Sequence, residues 1–185
     1  MPGYAQANRP LRLTTPLGPD KLFLLGLSGR EALSRLFRFR LDLIAEHATQ
    51  VPFDQLLGKP VTAHVESGGD DVRHFSGVCA RMVQGGRDET FTHYHMEVVP
   101  EVWFLTRRTQ SRIFQRTSTP DILKKVFQGL AVQQRLQGKY DPREYCVQYR
   151  ETDFDFASRL MEEDGIYYYF EHDEGGGRMV LGDSP

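Results

Sequence analysis

Apolar and polar residues alternate most clearly between residues 36 and 44, where Phe37, Phe39, Leu41 and Leu43 are interleaved with Arg38, Arg40 and Asp42. A period of two sends successive side chains to opposite faces of a strand. The segment therefore predicts a strand with one face in a core and the other against water or a partner. Val61, Ala63 and Val65 alternate with Thr62, His64 and Glu66 in the same way. Residues 22–27 (LFLLGL) are continuously apolar, which predicts a strand buried on both faces. Further strands are expected over 11–15, 73–83 and 91–99, with Gly-Gly-Asp at 68–70 and Gly-Gly-Arg at 85–87 as hairpin connections. Several short strands at this spacing predict an antiparallel barrel or sandwich, and a closed barrel leaves no edge exposed.

The pattern then changes. Thr119 followed by Pro120 reads as a helix N-cap with proline in the first position, and Ile122, Leu123, Val126, Phe127 and Leu130 fall on one helical face, with Gly129 able to end the helix early. A second helix is capped by Thr152 or Asp153, carries Phe154, Ala157, Leu160 and Met161 as its stripe, and stops at Gly165. A strand is expected over 145–150, and a hairpin over 166–171 and 178–181 joined by the glycines 175–177. The class is α+β, mainly β.

Composition narrows the function. The 185 residues are 39% hydrophobic, enough for a packed core. With 23 basic against 25 acidic residues, the net charge of -2 gives no basic excess for a nucleic-acid backbone. The start, MPGYAQANRPLRL, lacks the apolar core of a signal peptide, and no apolar run is long enough to cross a bilayer. Folding in the cytoplasm is expected, with any exit by a route that reads no cleaved signal. Cys79 and Cys146 lack a CxxC spacing and read as buried thiols.

No residue set reads as a catalytic or cofactor site. His93 and His95 share a strand face, with His74 as a conceivable third metal ligand, but Tyr94, Met96 and Val98 make the better core face and leave the histidines on the polar side. Glu162, Glu163 and Asp164 end a helix where carboxylates oppose its dipole; they read as a solvated face or as a contact for a basic partner. Asp153 and Asp155 suit the helix start. Arg107, Arg108 and Arg112 are expected to pair with acids on a neighbouring chain. There is no GxSxG, no Walker A loop and no HExxH. Tyr167, Tyr168, Tyr169 and Phe170 read as a strand packed on both sides.

The segment YCVQYRETDFDFASRLMEEDGIYYYFEH (145–172) closely resembles the most characteristic stretch of VgrG proteins, the type VI secretion spike family. Phe75-Ser76-Gly77-Val78, Gly85-Gly86-Arg87, residues 91–115 and the closing VLGDSP follow in the family's order, and FRFRLDLIAEH with Leu56-Leu57-Gly58-Lys59 matches its first barrel. The resemblance implies a phage tail hub-like antiparallel β-barrel with two inserted helices and the start of a second barrel. It implies a flexible N-terminus over 1–9, a first barrel over 10–105, a linking segment over 106–150 with a helix near 120–129, and over 151–185 a helix and hairpin that begin the second hub domain. The family continues into a neck and needle, and the ending at Gly182-Asp183-Ser184-Pro185 reads as a boundary within a longer protein.

By resemblance, such proteins are structural rather than enzymatic and need no cofactor or metal. Three copies form a pseudo-six-fold ring on a six-fold Hcp tube, contact baseplate proteins, and carry a PAAR tip and effector cargo through later regions. They assemble in the cytoplasm and are expelled by the type VI apparatus. The expected interaction surface comprises Arg38, Arg40, Asp42, His93, His95, Glu97, Arg107, Arg108, Glu162 and Glu163. A phage or prophage tail hub is the nearest alternative, and a metal-dependent hydrolase built on His93 and His95 the more distant one.

Overall fold

The computed structural model describes residues 4–66, 68 and 71–184. The chain divides into two compact units. The first contains the residues up to Glu31, Leu36–Pro100 and His172–Gly177; the second contains Ala32–Arg35, Glu101–Glu171 and the residues from Arg178 onward.

The first unit is built on one six-stranded sheet of β1 (Leu11–Thr14), β2 (Phe23–Arg30), β3 (Arg38–Glu46), β4 (Pro60–Glu66), β5 (Val72–Arg87) and β6 (Phe91–Val99). The strands lie in the order β1-β4-β5-β6-β3-β2, each pair antiparallel. The sheet curls until its edge strands β1 and β2 approach one another without pairing, a half-barrel rather than one closed by hydrogen bonds. Its inner face follows the alternation: Phe39, Leu41 and Leu43 of β3 and Tyr94, Met96 and Val98 of β6 are buried, while Arg38 and Arg40 are exposed.

Three strand details differ from expectation. Leu25 is 45% exposed because a bulge between Leu24 and Gly26 turns it out, so β2 is not buried on both faces throughout. In β4, Thr62 and His64 are buried although the alternation assigns them to the polar face; Thr62 donates to Ser76 Oγ at 3.1 Å. Gly85 and Gly86 form no turn. They lie inside β5 at a second bulge, and the chain reverses at residues 88–90, where one Asp88 oxygen accepts the Thr90 and Phe91 amides at 2.8 and 2.7 Å. The 68–70 connection lies mostly outside the described residues. In the segment expected to be flexible, Tyr4 sets its ring 5.0 Å from that of Phe91, and the Gln6 side chain bonds the Leu13 backbone twice.

The second unit contains a 3-10 helix (Glu101–Arg107), β7 (Thr109–Thr117), α1 (Thr119–Val126), β8 (Val132–Arg135), β9 (Arg143–Thr152) and α2 (Asp153–Glu163). The hairpin strands β10 (Tyr167–Asp173) and β11 (Gly176–Gly182) follow, with His172–Gly177 at their tip belonging to the first unit. β7 and β9 form an antiparallel ribbon, and β10-β11-β8 a small sheet in which β8 runs parallel to β11. The stretch expected as a link thus holds two unforeseen strands, β7 and β8. The cap of α1 is Ser118, whose Oγ accepts from the Asp121 amide; Thr119 is buried instead. α2 starts at Thr152, whose hydroxyl accepts the Asp155 amide at 3.0 Å. It ends as expected at Gly165, with φ +67 and the Ile166 amide returning to the Met161 carbonyl at 2.8 Å.

Candidate interaction surfaces

Register brings five of the expected residues together on the outer face of β3 and β6. Arg40 stands opposite Glu97 and Asp42 opposite His95. Arg38 Nε lies 3.2 Å from Glu97, and His95 Nδ1 lies 2.7 Å from Asp42 and 3.3 Å from Arg40 Nη2. His93 lies further along β6, its Nε2 2.9 Å from Asp88. The Asp88 carboxyl is held down at about 2 by the Phe91 and Thr90 amides first and His93 next. His93 and His95 therefore each face a separate carboxylate. His74 belongs to another cluster, with its Nδ1 2.9 Å from Nδ1 of His64, whose Nε2 meets Thr14 Oγ1 at 2.8 Å. Among the described residues no three His, Cys, Asp or Glu side chains are placed to hold a metal.

The His64 pair should make the first unit acid-sensitive. An Nδ1–Nδ1 hydrogen bond requires at least one neutral ring. Burial first, then His74 and Arg12, lower the His64 pKa below its usual 6.5, against a smaller upward pull from Glu174. The unfolded ring accordingly takes a proton that the folded ring refuses. Stability should fall as pH drops below 6.5, by up to about 1.4 kcal/mol per pH unit until the folded ring protonates. Urea titrations between neutral pH and pH 5 should show this slope, and His64→Gln should remove one proton's worth of it; an unchanged slope would rule out His64 as its source.

The arginines after the 3-10 helix do not wait for a neighbouring chain. Arg108 Nε donates to Asp153 Oδ2, Arg112 Nη2 donates to Asp153 Oδ1 at 2.6 Å, and Gln148 Nε2 donates to the same oxygen at 2.8 Å. Asp153 is completely buried. Its role reaches well beyond helix capping, because it ties β7, β9 and the start of α2 together. Arg107 instead lies over the Trp103 ring at 4.9 Å.

At the other end of α2, the basic partner of Glu163 comes from the chain itself. Arg143 donates to Glu163 at 2.6 Å and to Asp164 at 2.9 Å, and Arg159 adds a 3.2 Å contact to Glu163. The Arg143 hydrogen bond is the main cause of the lowered Glu163 pKa. These guanidinium groups offset the unfavourable dipole position, while Glu162 stays exposed. Both thiols are free and buried, and burial raises their pKa values, that of Cys79 to about 11.

One surface was absent from the expected set. On the β7–β9 ribbon, Phe114, Cys146 and Gln148 turn inward, whereas Ile113, Tyr145, Val147 and Tyr149 are 60, 57, 37 and 64% exposed. Ile113 stands directly opposite Val147. The signal was present in the alternation of Tyr145, Val147 and Tyr149 with Cys146 and Gln148, once the inward side of the strand is known.

The chain combines a curled antiparallel sheet, a helix-bearing second unit and surfaces of charge and of apolar area. Residues 30–185 match the family model described as phage tail baseplate hub (GPD), and the chain belongs to that family. It is 44% identical over 184 residues to the type VI secretion system spike protein VgrG1c of Pseudomonas aeruginosa, an alignment covering 98% of this chain and 25% of that protein. The chain thus spans about a quarter of the length of the curated relatives it matches. Its fold is similar to that of an Escherichia coli type VI secretion component described as structurally similar to the T4 bacteriophage tail proteins gp27 and gp5. That likeness has a TM-score of 0.80 at 24% identity and covers 93% of this chain and 49% of that one. A prophage MuSo2 tail protein from Shewanella oneidensis shares the fold at TM-score 0.61 and 15% identity, over 92% of this chain and 54% of its own. The expected VgrG resemblance and hub-like fold are both borne out.

Proposed function

We propose that this chain is a mechanical part of a type VI spike: a hub subunit that associates with copies of itself as a trimer, seats on the Hcp tube ring within the baseplate and leaves with it. The PAAR tip and cargo would be carried by later regions of the full-length protein, with assembly in the cytoplasm. The observation that carries this reading is the outward apolar face of Ile113, Tyr145, Val147 and Tyr149, all on one ribbon. Contiguous exposed apolar side chains of this size mark association sites, and a second copy is the occupant a closed ring supplies. The curated relatives that match over nearly the whole chain are type VI spike proteins, which supports this reading over a phage tail hub. The hydrolase alternative loses its support with the separation of His74, His93 and His95 onto different partners.

Analytical ultracentrifugation provides the test. The wild-type protein should associate into trimers as its concentration rises, and Val147→Glu/Tyr149→Lys should remain monomeric. Because both residues are surface positions, the melting temperature should barely move. A wild type that stays monomeric at high micromolar concentration, or a double variant that still forms trimers, would refute the ribbon as the contact.

A further inference from the structure

We propose that the exposed face shared by β2, β3, β6 and β5 is a docking strip for an extended acidic segment of a partner protein, gripped by Arg30, Arg38, Arg40 and Arg81. This deepens the hub reading by naming the chemistry of one partner, and it rests on that reading only in taking the partner to be a protein.

The argument starts from register. Arg30 of β2 stands directly opposite Arg38 of β3, and Ser28 opposite Arg40. Arg81 of β5 stands opposite Glu97 of β6. Residues directly opposite share a sheet face, so all four guanidinium groups are displayed on one side, and all four residues are exposed. Two carboxylates answer them, Glu97 at 3.2 Å from Arg38 and Asp42 at 3.5 Å from Arg40. Arg30 and Arg81 make no ion pair among the described residues. Like charges directly opposite on neighbouring strands are destabilising. The Arg30–Arg38 pair is therefore a local cost that an external carboxylate would relieve.

Shape agrees with charge. A surface cavity of about 430 Å³ opens on this face between Ser28, Gly29, Arg38, Arg40, Arg81 and Glu97. Gly29, directly opposite buried Phe39, faces the core side of the sheet, where a Cβ would lie 2.5 Å from the Phe39 ring. Arg38 and Arg40 recur at the two-residue spacing of a strand, about 6.8 Å, which is also the spacing of alternate side chains on an extended peptide. An acidic segment with Glu or Asp at alternate positions would meet them in step. Nucleic acid suits the strip less well. Apart from the His95 imidazole, the cavity lining has no aromatic ring on which a base could stack.

Fluorescence anisotropy with a labelled oligoglutamate peptide tests the proposal directly. The wild type should bind at low salt and weaken as NaCl rises from about 0.05 to about 0.3 M. Arg30→Glu/Arg81→Glu should weaken binding by about tenfold or more. Lys124→Glu/Lys125→Glu reverses charge at a separate cationic surface around α1 and should leave binding unchanged, as should the monomeric ribbon variant. Equal losses in the two charge-reversal variants would reduce the effect to net charge and overturn the strip. So would undetectable wild-type binding, or tighter binding of an oligothymidylate of matched charge. Because the ribbon variant reports on association and the strip variant on peptide binding, either idea can fail while the other stands.

Discussion

Asp153→Ala is expected to destabilise the second unit by about 3–5 kcal/mol, the usual cost of removing one partner from a buried ion pair. The carboxylate is fully buried and accepts hydrogen bonds from Arg108, Arg112 and Gln148, while its own amide donates to the Arg108 carbonyl at 2.9 Å. Among the described residues, truncation leaves Arg112 with its 2.8 Å bond to Gln148 Oε1, and Gln148, itself fully buried, loses one of its acceptors. Water cannot fully replace those partners, so the penalty is that of desolvated, unpaired polar groups. For a chain of this size the melting temperature should drop by on the order of 10 °C. Asp153→Asn keeps one acceptor oxygen but turns an amide toward a guanidinium, and should fall between wild type and alanine. Thermal and urea unfolding followed by near-UV circular dichroism would measure both; a loss below about 1 kcal/mol for alanine would show the network to be dispensable.

The same residue shows where the sequence stops being legible. Asp153 beside Thr152 carries a strong local message, that a helix begins here, and that message is correct. Its dominant interactions come from Arg108 and Arg112, 45 and 41 residues earlier in the chain, and no local pattern encodes them. β3 and β6 were readable because one face meets solvent, which keeps the polar positions polar. β7 was not readable: in TQSRIFQRT only Phe114 is buried, Ile113 points outward, and pairing with β9 together with the Asp153 network holds the strand. β8 has four residues and a single apolar one, and it exists through parallel pairing with β11, more than forty residues away. Gly85 and Gly86 mislead for the opposite reason. Two glycines fit a bulge as well as a turn, and only the Asp88 hydrogen bonds decide where the chain reverses. Among the surface residues, the β3–β6 group was found through its alternation. The outward residues of β9 are not legible in the sequence, because Tyr and Val on a strand read as core until the strand's inner side is fixed.

Phe156→Ala is the second large effect, and it separates core from docking surface. Phe156 is fully buried although the predicted stripe omitted it. α2 is covered on more than one side, by α1, β9 and the 3-10 helix, so its buried face is wider than Phe154, Ala157, Leu160 and Met161 alone. The ring stacks on Phe114 with centroids 5.7 Å apart, and the Arg159 guanidinium lies 5.5 Å from its centre. Truncation removes the ring's transfer energy and leaves a cavity, which together cost about 3–5 kcal/mol. The urea midpoint should fall with little change in slope, because the surface exposed on unfolding is nearly the same. Tyr149→Ala removes an aromatic ring of similar size from a position 64% exposed, and should cost no more than about 0.5 kcal/mol in the monomer while weakening association. If Tyr149→Ala destabilised the monomer as much as Phe156→Ala, the ribbon's outer face would be part of the folding core, and its assignment to a second copy would fall.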